Sequence, residues 1–194
     1  ASDDPSTKVG YRGEEAENYL PTRTFYLDVD TANAVVKNMV ATEDQDKLVP
    51  RMVWSINNSM LLKNDLMTLD IVANNIMDRP IYFAVSVSPD AYLGLEKYFQ
   101  LEGLGYRIVP KENPSGSPYG APVRADVMYE NMMKKFKFGG IAENPNIYLD
   151  ENILRMTVNI RGNFGRLAET LAEKGEMDKA TAAIDYSLKV LPAN

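Results

Sequence analysis

The spacing of apolar positions along this chain changes several times. Residues 24–29 (Thr-Phe-Tyr-Leu-Asp-Val) are rich in aromatic and β-branched types and read as a strand. Asp30-Thr31-Ala32-Asn33 reads as a turn, residues 34–40 as the returning strand, and the polar residues 42–47 as a loop. Residues 52–56 form a short apolar strand. Over residues 60–76, Leu62, Leu66, Leu69, Ala73 and Ile76 recur at helical spacing, with Asn58 or Ser59 as the cap. Residues 80–87 are nearly all apolar, the pattern of a central strand covered on both faces, and Pro80 sits where a strand tolerates it. Ser88-Pro89 supplies the cap and first-turn proline of a second helix, with Tyr92, Leu95 and Phe99 on one face and Gly103 at its end. Residues 106–109 make a further strand. This alternation predicts an α/β fold: a small, mostly parallel, three-layer-type sheet with right-handed crossovers and flanking helices.

Beyond the sheet, residues 110–122 are rich in Pro, Gly and Ser and read as a loop. Residues 126–138 read as a helix capped by Asp126, with Tyr129, Met132, Met133 and Phe136 on its buried stripe and lysines near its C-terminal end. A long helix is predicted over residues 150–174, where Ile153, Met156, Ile160, Phe164, Leu167 and Leu171 hold one stripe. Gly162 and Gly165 lower its helix propensity by about 1 kcal/mol each and would admit a close neighbour. A second helix follows over residues 178–191. Counted from Arg161, the pair resembles a tetratricopeptide repeat. Phe164, Leu167, Leu171 and Ile184 take the large positions, Ala168 and Ala180 the small ones, Gly175 the turn and Pro192 the end. A single such unit lacks the concave surface of a repeat array, so it is expected to cap the sheet domain. The predicted organisation is a flexible leader over residues 1–20, an α/β domain over 21–149 and a tetratricopeptide-like helical hairpin over 150–194.

Composition narrows the chemistry. The chain has 194 residues, is 45% hydrophobic and has a net charge of −6. That balance suits a globular domain and argues against a nucleic-acid surface, which needs clustered Lys and Arg. With no cysteine and no histidine, the chain has no disulfide, thiolate, imidazole base or His-held zinc. No apolar run approaches the roughly 20 residues of a membrane-spanning helix. The opening Ala-Ser-Asp-Asp, without Met, reads as a piece cut from a longer protein.

The remaining motifs are short. Asp28-Val29-Asp30 at a strand end has the Asp-x-Asp form that holds a divalent ion in sugar-nucleotide transferases, and Asp44-Gln45-Asp46 repeats it in a loop. Gly103-Leu104-Gly105 lacks the third glycine and the strand-to-helix setting of a dinucleotide fingerprint. Arg79, Arg107 and Lys63 lie beside predicted buried elements and would hold an anionic group or pair with Asp65, Asp70 or Glu96. Tyr92 and Tyr98, with Arg79 and Arg107, form the predicted partner or ligand surface, although tyrosines at these spacings also suit a core. Asn57-Asn58-Ser59 is an N-glycosylation sequon and Asp30-Thr31-Ala32 has the form of a bacterial O-glycosylation acceptor. No catalytic residue and no cofactor is assigned.

Two blocks carry a family resemblance: Arg79-Pro80-Ile81-Tyr82-Phe83-Ala84, and the run from Tyr92 to Pro110 that includes Glu96-Lys97-Tyr98-Phe99-Gln100-Leu101 and Gly105-Tyr106-Arg107. Tyr129, Asn131, Lys135, Phe136, Phe138, Gly139 and Gly140 extend it, as does the stretch from Tyr148 through the helix pair. The text resembles the C-terminal soluble region of Bacteroidetes-type membrane proteins classed as protein O-mannosyltransferase-like. Met77 departs from that pattern, which has Trp there. The resemblance implies a multi-pass parent that moves sugar from a lipid carrier, with catalysis in its membrane part. It implies that this chain is a periplasmic, non-catalytic accessory domain whose partners are that membrane part, an acceptor protein or a glycan. The alternatives are a free-standing tetratricopeptide-like interaction module and a small carboxylate-dependent α/β enzyme. The enzyme reading uses loop 110–122 as a lid over a site near Val87 and Val109.

Overall fold

A computed structural model describes residues 22–141, 143–144 and 148–191, together with the backbone of two short antiparallel strands, β1 (Lys8–Val9) and β2 (Glu17–Asn18). The predicted leader otherwise lies outside the described residues, as does Pro192. β3 (Thr24–Asp28) pairs antiparallel with β4 (Arg51–Ser55), Phe25 opposite Trp54 and Tyr26 opposite Val53. A three-stranded sheet follows, in the order β5 (Tyr82–Ala84), β7 (Gly105–Ile108), β6 (Phe99–Leu101), with both pairings antiparallel.

The parallel α/β expectation is therefore overturned. The cause lies between residues 88 and 103. Two short 3-10 turns, Pro89–Tyr92 and Leu95–Tyr98, stand there instead of a helix, separated by Leu93 (φ 57°) and Gly94 (φ 82°). Two successive left-handed residues end any right-handed helix. Gly94 also lies flat against β4, where an added Cβ would come 2.2 Å from Ser55 O. The chain then enters β6 directly and returns as β7 through the turn at Gly103. Without a crossover helix, such neighbours pair antiparallel. The predicted central strand at 80–87 is a three-residue edge strand, with Tyr82 half exposed.

The returning strand expected at 34–40 is instead a short helix, α1 (Thr31–Val36). Asp30 caps it by accepting from Asn33 N at 3.0 Å, and Asn38 (φ 50°) turns the chain away after it. α2 (Lys63–Asn75) has its cap position at Leu62 rather than at Asn58 or Ser59; the Asp65 carboxylate accepts from Leu62 N at 2.8 Å. α3 (Ala125–Glu130) begins after Arg124, not at Asp126. It widens into a π turn, Asn131–Lys135, closed by Phe136 N donating to Asn131 O.

The C-terminal part is two long helices, α4 (Glu151–Glu173), capped by Asp150, and α5 (Met177–Val190). The expected repeat unit beginning at Arg161 does not describe them. α4 starts well before it, and Ile184, counted as a large packing residue, is 39% exposed. Phe164, Leu167 and Leu171 are buried against α5, while Ile153 and Met156 on the same stripe face water. Among the described residues nothing beyond the helix itself lies within 4 Å of a Cβ built on Gly162 or Gly165, so none of the described helices seats there. The buried apolar side chains of the sheet region and of the hairpin form one cluster. Asn163 Nδ2 donates to Gly103 O at 3.2 Å, and Arg166 Nη2 donates to Ala121 O at 2.5 Å; both tie α4 to the sheet region.

Candidate functional site

The two faces of the three-stranded sheet differ in chemistry. Phe83, Phe99, Leu101 and Tyr106 share one face, where Phe99 stacks on Tyr106 with ring centroids 5.2 Å apart. The other face carries Tyr82, Gln100 and Arg107 in one cross-strand row, with Glu102 beyond Gln100. Glu102 is 2% exposed and would be costly to bury alone. Three neighbours answer it: Tyr82 Oη donates to Oε2 at 2.5 Å, Gln100 Nε2 to Oε1 at 2.8 Å, and Arg107 Nη1 reaches Oε1 at 3.4 Å. Burial, then the hydrogen bond and charge of Glu102, push the Tyr82 phenol up to about 12.

Arg107 is also one wall of a cleft of about 350 Å³ beside the end of α2. Lys37, Arg79 and Asp78 line it, with Met39, Met77 and Pro80 as its apolar part. Lys37 Nζ donates to Met77 O and pairs with Asp78 at 3.2 Å. The fold thus brings Arg79 and Arg107 to one cleft, 28 positions apart in the chain. Of the carboxylates expected to pair with these arginines, Asp65 caps α2 and Asp70 accepts from Asn74, while Glu96 pairs with neither arginine and leaves its Oε2 buried without a partner.

Tyr92 and Tyr98, 3% and 1% exposed, belong to the core and not to a surface. Their hydroxyls are spent on backbone. Tyr92 Oη donates to Val87 O, while Tyr98 Oη accepts from Val53 N at 2.7 Å and donates to Val53 O at 3.1 Å. Burying a tyrosine requires such partners, and the β4 backbone supplies them. The weak metal candidates are likewise occupied. Asp28 pairs with Arg51 at 2.5 Å across the β3–β4 ladder, and Asp30 caps α1. Among the described residues no three acidic side chains gather to hold a metal ion.

A larger cleft of about 790 Å³ lies between loop 110–123, the 3-10 turn Thr42–Lys47 and α4. Asp44 bridges Lys47 (2.7 Å) and Lys111 (2.5 Å) at its floor. Burial pushes the Asp44 carboxyl up, but the bonds and charges of Lys111 and Lys47 outweigh it and hold the group below the usual range. Glu169, Thr170 and Glu173 line the α4 side, and Tyr119 stands 80% exposed at the rim. Loop 110–122 is not a free lid. Asn113 is buried; its N–H donates to Lys97 O, and its Nδ2 donates to Glu96 O and Ser117 O. Val109 is fully buried and lines neither cleft.

Sequence reasoning missed Glu102, Gln100 and Asn113. The first two had a signal. Phe99-Gln100-Leu101-Glu102 and Tyr106-Arg107-Ile108 alternate with period two, the mark of a half-buried strand. Asn113 had none, since a Pro/Gly/Ser loop hides which polar residue turns inward.

A family model described as TMEM260-associated domain 2 matches residues 1–127, which takes in the whole sheet region and stops inside α3. No curated protein and no solved structure matches the chain. With well over half of its length matched, the chain belongs to the TMEM260-associated domain 2 family.

Proposed function

We infer that this chain is a non-catalytic accessory domain of a membrane protein. The parent, on this reading, is a glycosyltransferase of the O-mannosyltransferase-like kind, and the domain stands on the extracytoplasmic side of the membrane. Its work is docking, to the membrane part of the parent, to an acceptor protein or to a glycan. The observation that carries the reading is the family match over residues 1–127. The surface supports it. Val36 is 84% exposed on α1, and Met60, Met67 and Ile71 are half exposed or more along and just before α2. Met67 and Ile71 lie one turn apart on α2, so a partner laid on that helix would meet both. No described helix is long and apolar enough to cross a membrane, so attachment is assigned to other parts of the parent.

The test is deletion of these residues from the full-length parent, reading sugar transfer to acceptor proteins alongside the amount of parent in the membrane. Transfer is expected to fall while the membrane part still accumulates. Unchanged transfer to every acceptor removes the accessory role.

A further inference from the structure

The cleft beside the end of α2 gathers Lys37, Arg79 and Arg107 in a chain whose net charge is −6. Its one lining carboxylate, Asp78, is paired with Lys37. Cations favour a helix C-terminus, which is the competing reason for their presence. That end is already answered, however. Met77 O accepts from Lys37, and Asn75 O accepts from the N–H groups of Asp78 and Arg79, both at 2.8 Å. Of the two guanidiniums, one is held only loosely and one is unpaired among the described residues. Arg107 reaches Glu102 only at 3.4 Å, long for a charge-assisted bond, and its Nε–H is buried with no partner. Among the described residues the Arg79 guanidinium has no hydrogen bond or ion pair, and it stands exposed at the mouth.

A planar guanidinium matches the oxygens of a phosphate two at a time, and two guanidiniums at one cleft suit an acceptor with three or four such oxygens better than a carboxylate with two. We propose that this cleft binds a phosphate ester, its anionic oxygens between Arg79 and Arg107 and its organic part against Met39, Met77 and Pro80. The site stands on the cleft itself and does not depend on the accessory-domain reading. A soluble ester and a lipid headgroup share this chemistry, and the experiment separates them.

The full chain is titrated with glycerol 3-phosphate, followed by amide NMR shifts. In parallel it is floated with phosphatidylcholine vesicles, with and without phosphatidic acid. The expected result is saturable binding, with shifts centred on residues 76–80 and on Arg107, weakened about tenfold in Arg79→Gln. Arg155→Gln removes the same charge from an exposed site on α4 and is expected to leave binding unchanged. Arg107→Lys keeps a cation for Glu102, so it folds, yet loses the planar fork and binds more weakly. Binding of glycerol 3-phosphate assigns a soluble ester. Binding only to vesicles that hold phosphatidic acid, lost in Arg79→Gln, assigns a headgroup. No saturable binding in either arm, or equal loss in Arg79→Gln and Arg155→Gln, overturns the site.

Discussion

The α4–α5 hairpin and the β5–β7–β6 sheet bury their aromatic side chains by different routes. In the hairpin, Phe164 packs against Tyr186 because a stripe repeating along one helix meets a helix that follows it directly, and Phe138 joins them from the chain before it. In the sheet, Phe83, Tyr92, Phe99 and Tyr106 meet only because two turns aim three short strands at one another. Local periodicity was enough for the first. The second rests on backbone conformations at Leu93, Gly94 and Gly103, which a count of apolar positions does not register. Periodicity is a statement about one element, whereas burial belongs to two. The exposed start of the α4 stripe makes the same point from within the hairpin.

The largest blow to the sheet side of this comparison is Phe99→Ala. Phe99 is 1% exposed and touches three other rings, so its loss is expected to cost about 4 kcal/mol in chemical denaturation. Ile153→Ala, on the open end of the α4 stripe, is expected to cost less than about 1 kcal/mol. Comparable costs for the two would mean that the open end is covered in solution. Next is Gly94→Ala, which combines a left-handed backbone with a clash against Ser55 O and is expected to cost about 2 kcal/mol or more. Thermal unfolding of the purified chain reads it directly; a neutral result would remove the account of why the expected helix breaks there.

Gly162→Ala is the opposite case. The position is helical with open space around it, and a gain of about 0.5–1 kcal/mol is expected in the same measurement. A loss would mean that something seats against Gly162 after all. The smallest effect concerns pH. Tyr82 holds its proton to about 12 in the folded chain, against an ordinary tyrosine value near 10. Its contribution is then fully present below about pH 10 and is lost as pH rises towards 12, where the unfolded chain already gives up the proton. Melting curves across that window should fall more steeply for the wild type than for Tyr82→Phe, and parallel curves would sever the Tyr82–Glu102 link.

The candidate cleft was half legible. Arg79 and Arg107 stood out as cations beside buried segments, and both line it. Lys37 did not, because a lysine within an expected strand gives no hint that a helix end lies across from it. Tyr92 and Tyr98, expected on the same surface as the arginines, end the two 3-10 turns and are packed into the core instead. Strand-to-strand pairing, not closeness in the chain, decides which residues share a face.

Taken alone, the amino-acid order determined the two long helices, the β4 segment, the absence of imidazole and thiol chemistry, and the family. Each is carried by residue identity or by a repeat a few residues long. The antiparallel direction of the sheet, the buried Glu102 and the meeting of Lys37, Arg79 and Arg107 were decided only in three dimensions. They depend on contacts between residues tens of positions apart, and such contacts form only once the turns between them have set the direction of the chain.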